Sequence, residues 1–281
     1  MNKYAIAFIV IIHREFARFM TQRSRLLSAL VRPLFWLLVF AAGFKSTLGI
    51  AIQPPYSTYI TYDLYVIPGL VGMVCLFNGM SSSLAMVYDR EAGAMKVLMT
   101  APLPRRTILI YKLIGTSLVS IVQVYLFLLI AMAFDVQIPS FGLVEALPAI
   151  AVSAYILALA GLILASHIQS LENFAGVMNF VIFPCFFLSS SLYPLWQIEE
   201  SSEVLFWLSS FNPFPHLVEL MESVYLKSVH LKWLSMIMLA WIRYTKAPYF
   251  CRGLYERTMV FSSCDSGETR THGQWLKRPL P

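Results

Sequence analysis

The segment that decides the fold is residues 89–112, DREAGAMKVLMTAPLPRRTILIYK, a charged stretch between two long apolar runs. It contains five of the 21 Lys and Arg residues. Such a connector is typical of a loop that joins two membrane spans. Met95 and Leu98 stand three positions apart, which favours a short amphipathic helix, and Pro102 and Pro104 would end it. On spacing alone, a solvated connector whose arginines merely follow the charge bias of membrane loops is an equal alternative.

The apolar runs on both sides extend into a pattern that covers most of the chain. Hydrophobic residues make up 58% and charged residues 13%, against roughly 45–50% and 25% in soluble domains. A helix needs about 20 mainly apolar residues to cross the ~30 Å hydrocarbon core. We therefore predict an all-α polytopic membrane protein with five spans, at about residues 26–44, 64–87, 108–134, 146–168 and 174–192. A truncated sixth run starts near Trp233 and stops at Arg243, and about ten residues cannot cross a bilayer as a helix.

The distribution of basic residues orients these spans. Residues 1–32 contain six Lys and Arg, whereas 45–63 contain one and 135–145 contain none. The region 193–232 contains two Lys against five Glu. The positive-inside rule then places the N-terminus and the 88–112 loop in the cytosol.

Residues 1–25 have the pattern of an amphipathic helix that lies in the membrane interface. Phe8, Ile12 and Phe16 share one face with Phe19 and Met20. The candidate residues of this interfacial helix are Arg14, Glu15, Phe16 and Arg18, and we expect the arginines to lie at the lipid phosphates. A cleaved signal peptide is the alternative, but no small-x-small cleavage site follows.

The order of these features resembles the permease subunits of type-2 ABC transporters, mostly exporters of drugs, polysaccharides or lipids. The resemblance starts at Arg14-Glu15-Phe16 and continues through residues 17–27. It proceeds through Asp89-Arg90-Glu91-x-Gly93, residues 96–106 and Lys112. Later matching stretches are 183–189, 192–195 and 208–213, so the likeness covers about residues 1–232.

This resemblance implies a permease domain over residues 1–242, with an interfacial helix at 1–25, a coupling loop at 88–107 and an external re-entrant region at 193–215. It implies that the loop forms a coupling helix that docks on a separate ABC ATPase subunit. The implied coupling residues are Asp89, Arg90, Glu91, Gly93, Met95, Leu98, Pro102, Pro104, Arg105 and Arg106. For 193–215, an ordinary external loop with interfacial aromatic residues is the alternative.

The resemblance further implies a pair of permeases, as a homodimer or two related chains, in contact with membrane lipid. They would lie in the cytoplasmic (inner) membrane as multi-pass proteins and move an amphiphilic solute by ATP-driven export. We predict that the chain is not itself an enzyme, because its sequence lacks the phosphate-binding pattern GxxxxGK[ST].

We predict no catalytic residue, cofactor, metal or nucleic-acid partner. His216 and Glu219 have a ligand-compatible spacing but no third ligand. An ion-coupled secondary transporter is the alternative function, and Arg32 and Lys112 are the ionisable residues nearest the spans. We expect both to snorkel to the cytosolic surface. A membrane-embedded hydrolase would need paired catalytic residues, and the serine triplets at 81–83 and 189–191 read as close helix contacts instead.

The last segment departs from the rest of the pattern. Residues 243–281 contain seven Lys and Arg and show no helical stripe. We interpret them as an atypical basic tail that is not native to this kind of protein; a divergent cytosolic tail is the alternative.

Overall fold

The computed structural model describes residues 3–44, 62–95, 103–134, 140–168, 170–192 and 202–225. Within these ranges the chain is helical and contains no strand. The helices are α1 (Lys3–Thr21), α2 (Arg23–Phe44), α3 (Tyr62–Glu91), α4 (Arg105–Ala133), α5 (Ser140–His167), α6 (Leu171–Phe187), α7 (Glu203–Phe211) and α8 (Pro213–Tyr225). The predicted all-α fold is confirmed for this part of the chain.

Three of the described helices are long and apolar enough to cross a membrane, over Tyr65–Glu91, Arg106–Ala133 and Leu143–His167. They correspond to the second, third and fourth predicted spans. The apolar parts of α2 and α6, Leu30–Val39 and Leu171–Phe187, are shorter. Helices thus occur at all five predicted spans, and five full crossings remain a prediction. The predicted sixth span and the basic tail lie outside the described residues.

The fifth predicted span is shorter than the apolar sequence indicated. α6 ends at Phe187 after 17 residues, or about 26 Å at ~1.5 Å per residue. Residues 188–192 form turns instead of helix. The Ser189 hydroxyl donates to the carbonyl oxygen of Phe186, and the Tyr65 hydroxyl donates to that of Ser190 at 2.7 Å. The bond from Tyr65 holds this turn against α3. Residues 188–192, which the sequence assigned to the fifth span, therefore lie outside α6.

α3 is the central helix of the bundle. Every residue from 65 to 80 is buried, as expected for a helix that is apolar around its whole circumference. It packs against α2, α4, α5, α6 and α8. Movement of α3 therefore affects most of the described bundle.

Glycines let α3 and α5 approach closely. A Cβ atom on Gly79 would lie 2.9 Å from the backbone nitrogen of Ala158, and one on Gly161 would lie 2.7 Å from the Ser83 hydroxyl. Small residues permit this kind of close crossing between membrane helices. The interpretation of the 81–83 triplet as a helix contact is confirmed for Ser83.

The two short helices after residue 202 pack at the end of the bundle opposite Asp89. The Asn212 side chain accepts from the backbone N–H of Phe214 at 3.0 Å and donates to the carbonyl oxygen of Cys185 at 2.8 Å. It thereby caps α8, with Pro213 at the first helical position. Phe214 and Met221 are buried against the core, while Trp207 on α7 is exposed. Re-entrance of 193–215 stays a prediction, because 193–201 lie outside the described residues.

Candidate functional site

Three consecutive charged residues at the end of α3 bind three different helices. Asp89 binds α1, Arg90 binds α5 and Glu91 binds the first residue of α6. Successive side chains of an α-helix point about 100° apart, so three neighbouring residues reach three directions. We call Asp89, Arg90 and Glu91 the α3 hub.

Asp89 makes the strongest contact of the hub. Its carboxylate lies 2.5 Å from Nη2 of Arg14 and 2.5 Å from Nη2 of Arg18, and Nη1 of Arg18 donates to it at 3.2 Å. Spacing of four residues puts the two arginines on one face of α1. Burial lowers the pKa of Arg18, but the hydrogen bond to Asp89 and the charge of that carboxylate outweigh burial, and the net pKa is raised. The ion pairs fix α1 to the end of α3.

This contact corrects the predicted role of the arginines on α1. They were expected at lipid phosphates, but Arg14 and Arg18 bind Asp89 within the protein. Phe19 is buried, whereas Met20, expected on the same face, is exposed. The reason is that α1 packs against α4, so one side of the helix faces protein rather than the membrane surface. Other apolar side chains of α1, including Ile9, remain exposed.

A buried pair of opposite charge lies beside Asp89. Glu15 of α1 and Lys112 of α4 are both buried. Gly115 leaves room for this arrangement, because a Cβ there would lie 3.3 Å from Cγ of Glu15. Lys112 was expected to snorkel to the surface, and this expectation is wrong: its side chain is buried where α1 packs against α4.

A row of polar contacts continues from this pair between α3 and α4. The Ser82 and Thr116 hydroxyls lie 2.7 Å apart, and the Asn78 amide donates to the Ser120 hydroxyl at 2.6 Å. Two small cavities, each with room for about one water molecule, flank the Ser82–Thr116 contact. One is lined by Lys112 and the other by Glu15. The α1–α3–α4 junction is thus polar as well as tightly packed.

The other two hub residues bind backbone groups at helix ends. Nη2 of Arg90 donates to the carbonyl oxygen of Ala165 at 3.0 Å, near the end of α5. Glu91 accepts from the backbone N–H of Leu171 at 2.8 Å. Ser170 caps the same end of α6 by accepting from the backbone N–H of Asn173. Helix ends offer free carbonyl and N–H groups, so these contacts satisfy groups that would otherwise need solvent.

The residues after the hub turn sharply and return to the bundle. Gly93 has φ +71°, a left-handed conformation that glycine adopts without strain. Met95 is partly buried against the apolar cluster of Met86 and Leu113. Met95 therefore packs partly on its own chain, and its role in docking stays a prediction. The side chain of Phe16 is partly buried and packs edge-on against Phe19.

The remaining predicted coupling residues are only partly described. Pro104 directly precedes α4, and Pro104 and Arg106 are exposed. Leu98, Pro102 and the side chain of Arg105 lie outside the described residues. The α3 hub and this exposed start of α4 thus lie at the two ends of the loop predicted to couple the chain to an ATPase.

Sequence reasoning found the hub residues but missed their partners. Nothing in the spacing connects Asp89 with Arg14 and Arg18, which lie more than 70 residues away. Ala165 and Leu171 contribute only backbone atoms and carry no sequence signal. Glu15 was predicted as a residue of the interfacial helix. Its burial could have been suspected from the sequence, because this carboxylate lies on a face of α1 that is otherwise apolar.

Comparison with known proteins identifies the kind of chain to which this site belongs. A profile of the ABC-2 type transporter family matches residues 6–226. The proposed transport permease ycf38 of Cyanophora paradoxa is 27% identical over 232 residues, covering 80% of this chain and 75% of that protein. The ycf38 protein of Porphyra purpurea is 26% identical over 223 residues, covering 76% and 72%. The proposed multidrug ABC transporter permease YbhR of Escherichia coli K12 is 29% identical over 180 residues, covering 63% of this chain and 47% of YbhR.

Proposed function

The chain belongs to the ABC-2 type transporter family, and from this premise we propose that it is the membrane subunit of an ATP-driven exporter worked by a separate ATPase subunit. The curated relatives bear the names of transport permeases rather than enzymes. We further propose that two such permeases act as a pair. Their cargo is an amphiphilic solute.

The observation that carries this proposal is the α3 hub. The rest of the predicted coupling loop 88–107 follows Glu91 directly, and this is the stretch proposed to dock on the ATPase. Asp89, Arg90 and Glu91 bind α1, α5 and α6. A force applied just beyond Glu91 therefore acts on four helices at once, without a long chain of intermediate contacts.

The proposed movement starts when ATP binding closes the ATPase subunits. The docked stretch shifts, and the end of α3 shifts with it. Because the buried carboxylate of Asp89 is paired with both arginines of α1, α1 follows α3 rather than separating from it. Arg90 and Glu91 carry the ends of α5 and α6 in the same step. The bundle then reorients its apolar, Met- and Phe-rich walls around the cargo.

We propose that the hub faces the cytosol and that the chain resides in the cytoplasmic membrane. The basic N-terminal region and the 88–112 loop support this orientation. The short link between α5 and α6 carries no Lys or Arg, yet Glu91 holds its end at the hub. This contact supports the same side of the membrane for both loops.

Copurification tests the proposal. Tagged chain, expressed together with the ABC ATPase of its own genome that pairs with it, should recover that ATPase from membranes. Reconstituted vesicles should hydrolyse ATP faster with transported solute than without it. Leu98→Ala, Arg105→Ala and Arg106→Ala together should release the ATPase, whereas Met95 is left unchanged because it packs on its own chain.

The matched control carries Glu145→Ala and Trp207→Ala, two exposed residues at the opposite end of the bundle. This variant should retain the ATPase. Full recovery and full transport in the triple variant, at normal abundance in the membrane, would reject the docking role of the loop.

A further inference from the structure

Arg32 of α2 is a cation without a carboxylate partner in the described part of the chain. Its guanidinium carbon lies 3.8 Å from the ring centroid of Phe77 on α3. Arginine remains protonated in proteins, and a charge within the hydrocarbon region is costly. The ring face offsets part of that cost through its quadrupole, but it supplies no hydrogen-bond acceptor for the guanidinium donors.

The position of Arg32 along the bundle is deeper than its sequence position indicated. Phe77 precedes Asp89 by twelve residues on α3, which corresponds to about 18 Å along the axis. With Asp89 at the cytosolic boundary, the guanidinium lies near the middle of the ~30 Å hydrocarbon core. Arg32 was expected to snorkel to the cytosolic surface, and its contact with Phe77 does not agree with that expectation.

Aromatic side chains of α2 and α6 continue from this position along α2. Trp36, one turn along α2 from Arg32, packs edge-on against Phe187 with ring centroids 6.0 Å apart. Phe187 stacks on Phe183 at 6.3 Å, and both of these rings are partly exposed. We call Trp36, Phe77, Phe183 and Phe187 the aromatic patch. It offers flat apolar surface beside one positive charge that no carboxylate of the described residues pairs with.

We propose that Arg32 and the aromatic patch bind the acidic group and the apolar body of an anionic amphiphile during its transport. This inference rests on the proposed function and adds the charge class of the cargo. An acidic headgroup would give the guanidinium the charge-assisted hydrogen bonds that the described chain does not supply. Bilayer phospholipids keep their headgroups at the surface, about 15 Å from the midplane. A molecule in transit therefore fits this depth better than a resident lipid.

Fluorescence quenching tests the binding step on the permease in phosphatidylcholine nanodiscs. The probes are the 9,10-dibromostearate anion and its neutral methyl ester, whose bromine atoms quench tryptophan. The anion should bind at least about tenfold more tightly than the ester, the size expected for a charge-assisted hydrogen bond. Arg32→Gln should abolish this preference and Arg32→Lys should retain part of it. Trp36 is one of six tryptophans, so Trp36→Phe should remove the part of the quenching that differs between anion and ester, which locates the probe.

Arg25→Gln is the matched control, because it removes one arginine charge from the same helix, about two turns before Arg32 and outside the patch. It should keep the preference for the anion. Equal binding of anion and ester by the unaltered chain, or an unchanged preference in Arg32→Gln, would overturn the inference. Neither result depends on the ATPase, so the proposed pairing with that subunit is tested separately by copurification.

A second measurement separates cargo from resident lipid. In vesicles containing the chain and its ATPase, the dibromostearate anion should stimulate ATP hydrolysis and move between leaflets, and Arg32→Gln should reduce both effects. If the anion binds at Arg32 but neither stimulates ATP hydrolysis nor moves between leaflets, the site holds a resident lipid. That result would overturn the assignment of the anion as cargo.

Discussion

Glu91, the last residue of α3, accepts a hydrogen bond from the backbone N–H of Leu171, the first residue of α6, at 2.8 Å. The N-terminus of a helix carries about half a positive charge, and a nearby carboxylate stabilises it by ~0.3–1 kcal/mol at low ionic strength. The energy is small, but the contact joins two helices through residues 80 positions apart in the sequence. We therefore expect its loss to affect coupling more than folding.

Glu91→Gln should leave membrane abundance unchanged and lower the amount of solute moved per ATP hydrolysed. Glutamine can still accept the N–H but has no charge to hold the helix end. Glu172→Gln is the control, because Glu172 is exposed in the first turn of the same helix. Vesicle transport and ATP hydrolysis are measured together, and equal ratios in both variants would contradict a role specific to Glu91.

Removing the two arginines should destabilise the protein more than removing the carboxylate they bind. Asp89 is 3% exposed, whereas the side chains of Arg14 and Arg18 are 35% and 21% exposed. Arg14→Gln with Arg18→Gln leaves a buried carboxylate with weaker compensation, a loss of up to ~3–5 kcal/mol. Asp89→Asn leaves cations that water can reach. The unfolding temperatures of the two variants in detergent are the measurement. A lower unfolding temperature for Asp89→Asn than for the double arginine variant would contradict this account.

Gly93→Ala should lower stability by about 1–2 kcal/mol, the cost of a left-handed conformation for a residue with a Cβ atom. No atom lies within 4 Å of the added Cβ, so the effect would come from the backbone alone. Gly176→Ala is the comparison: this glycine lies in α6, also with open space around it. That substitution should raise stability by ~0.5–1 kcal/mol. Similar unfolding temperatures for the two variants would speak against the turn at Gly93.

Gly79→Ala should disrupt the crossing of α3 and α5, because the added Cβ would meet backbone atoms of Leu157 and Ala158 at 2.9–3.0 Å. A backbone cannot move aside as a flexible side chain can. Ala158→Gly should therefore fail to restore the double variant, although it removes a neighbouring methyl group. Detergent-stable yield and unfolding temperature provide the measurement, and full rescue would show that the crossing is limited by side chains.

Cysteines at positions 101 and 137, in a chain without its four native cysteines, should label differently with an impermeant thiol reagent applied to intact cells. Position 137 should react at once and position 101 only after the membrane is opened. The opposite pattern would reverse the orientation and remove the proposed docking of the 88–107 loop.

The positions of the helices could be predicted because each depends on a local run of apolar residues. The end of α6 could not, since the turn after Phe187 is held by Tyr65 of a different helix. The same division applies to the site. The charges of the α3 hub are visible in the sequence, but Lys112 became buried only because α1 packs over α4. A contact between distant segments leaves no mark in the spacing of either one.

The hub also limits which movements α3 can make. Asp89, Arg90 and Glu91 point in directions about 100° apart around the helix axis, so α3 is bonded to a different helix on each of three sides. Turning the helix about its own axis would lengthen all three bonds, whereas tilting or sliding it carries the tethered helices along. If the loop after Glu91 docks on the ATPase, as we propose, we expect these bonds to favour displacement of α3 over rotation about its axis.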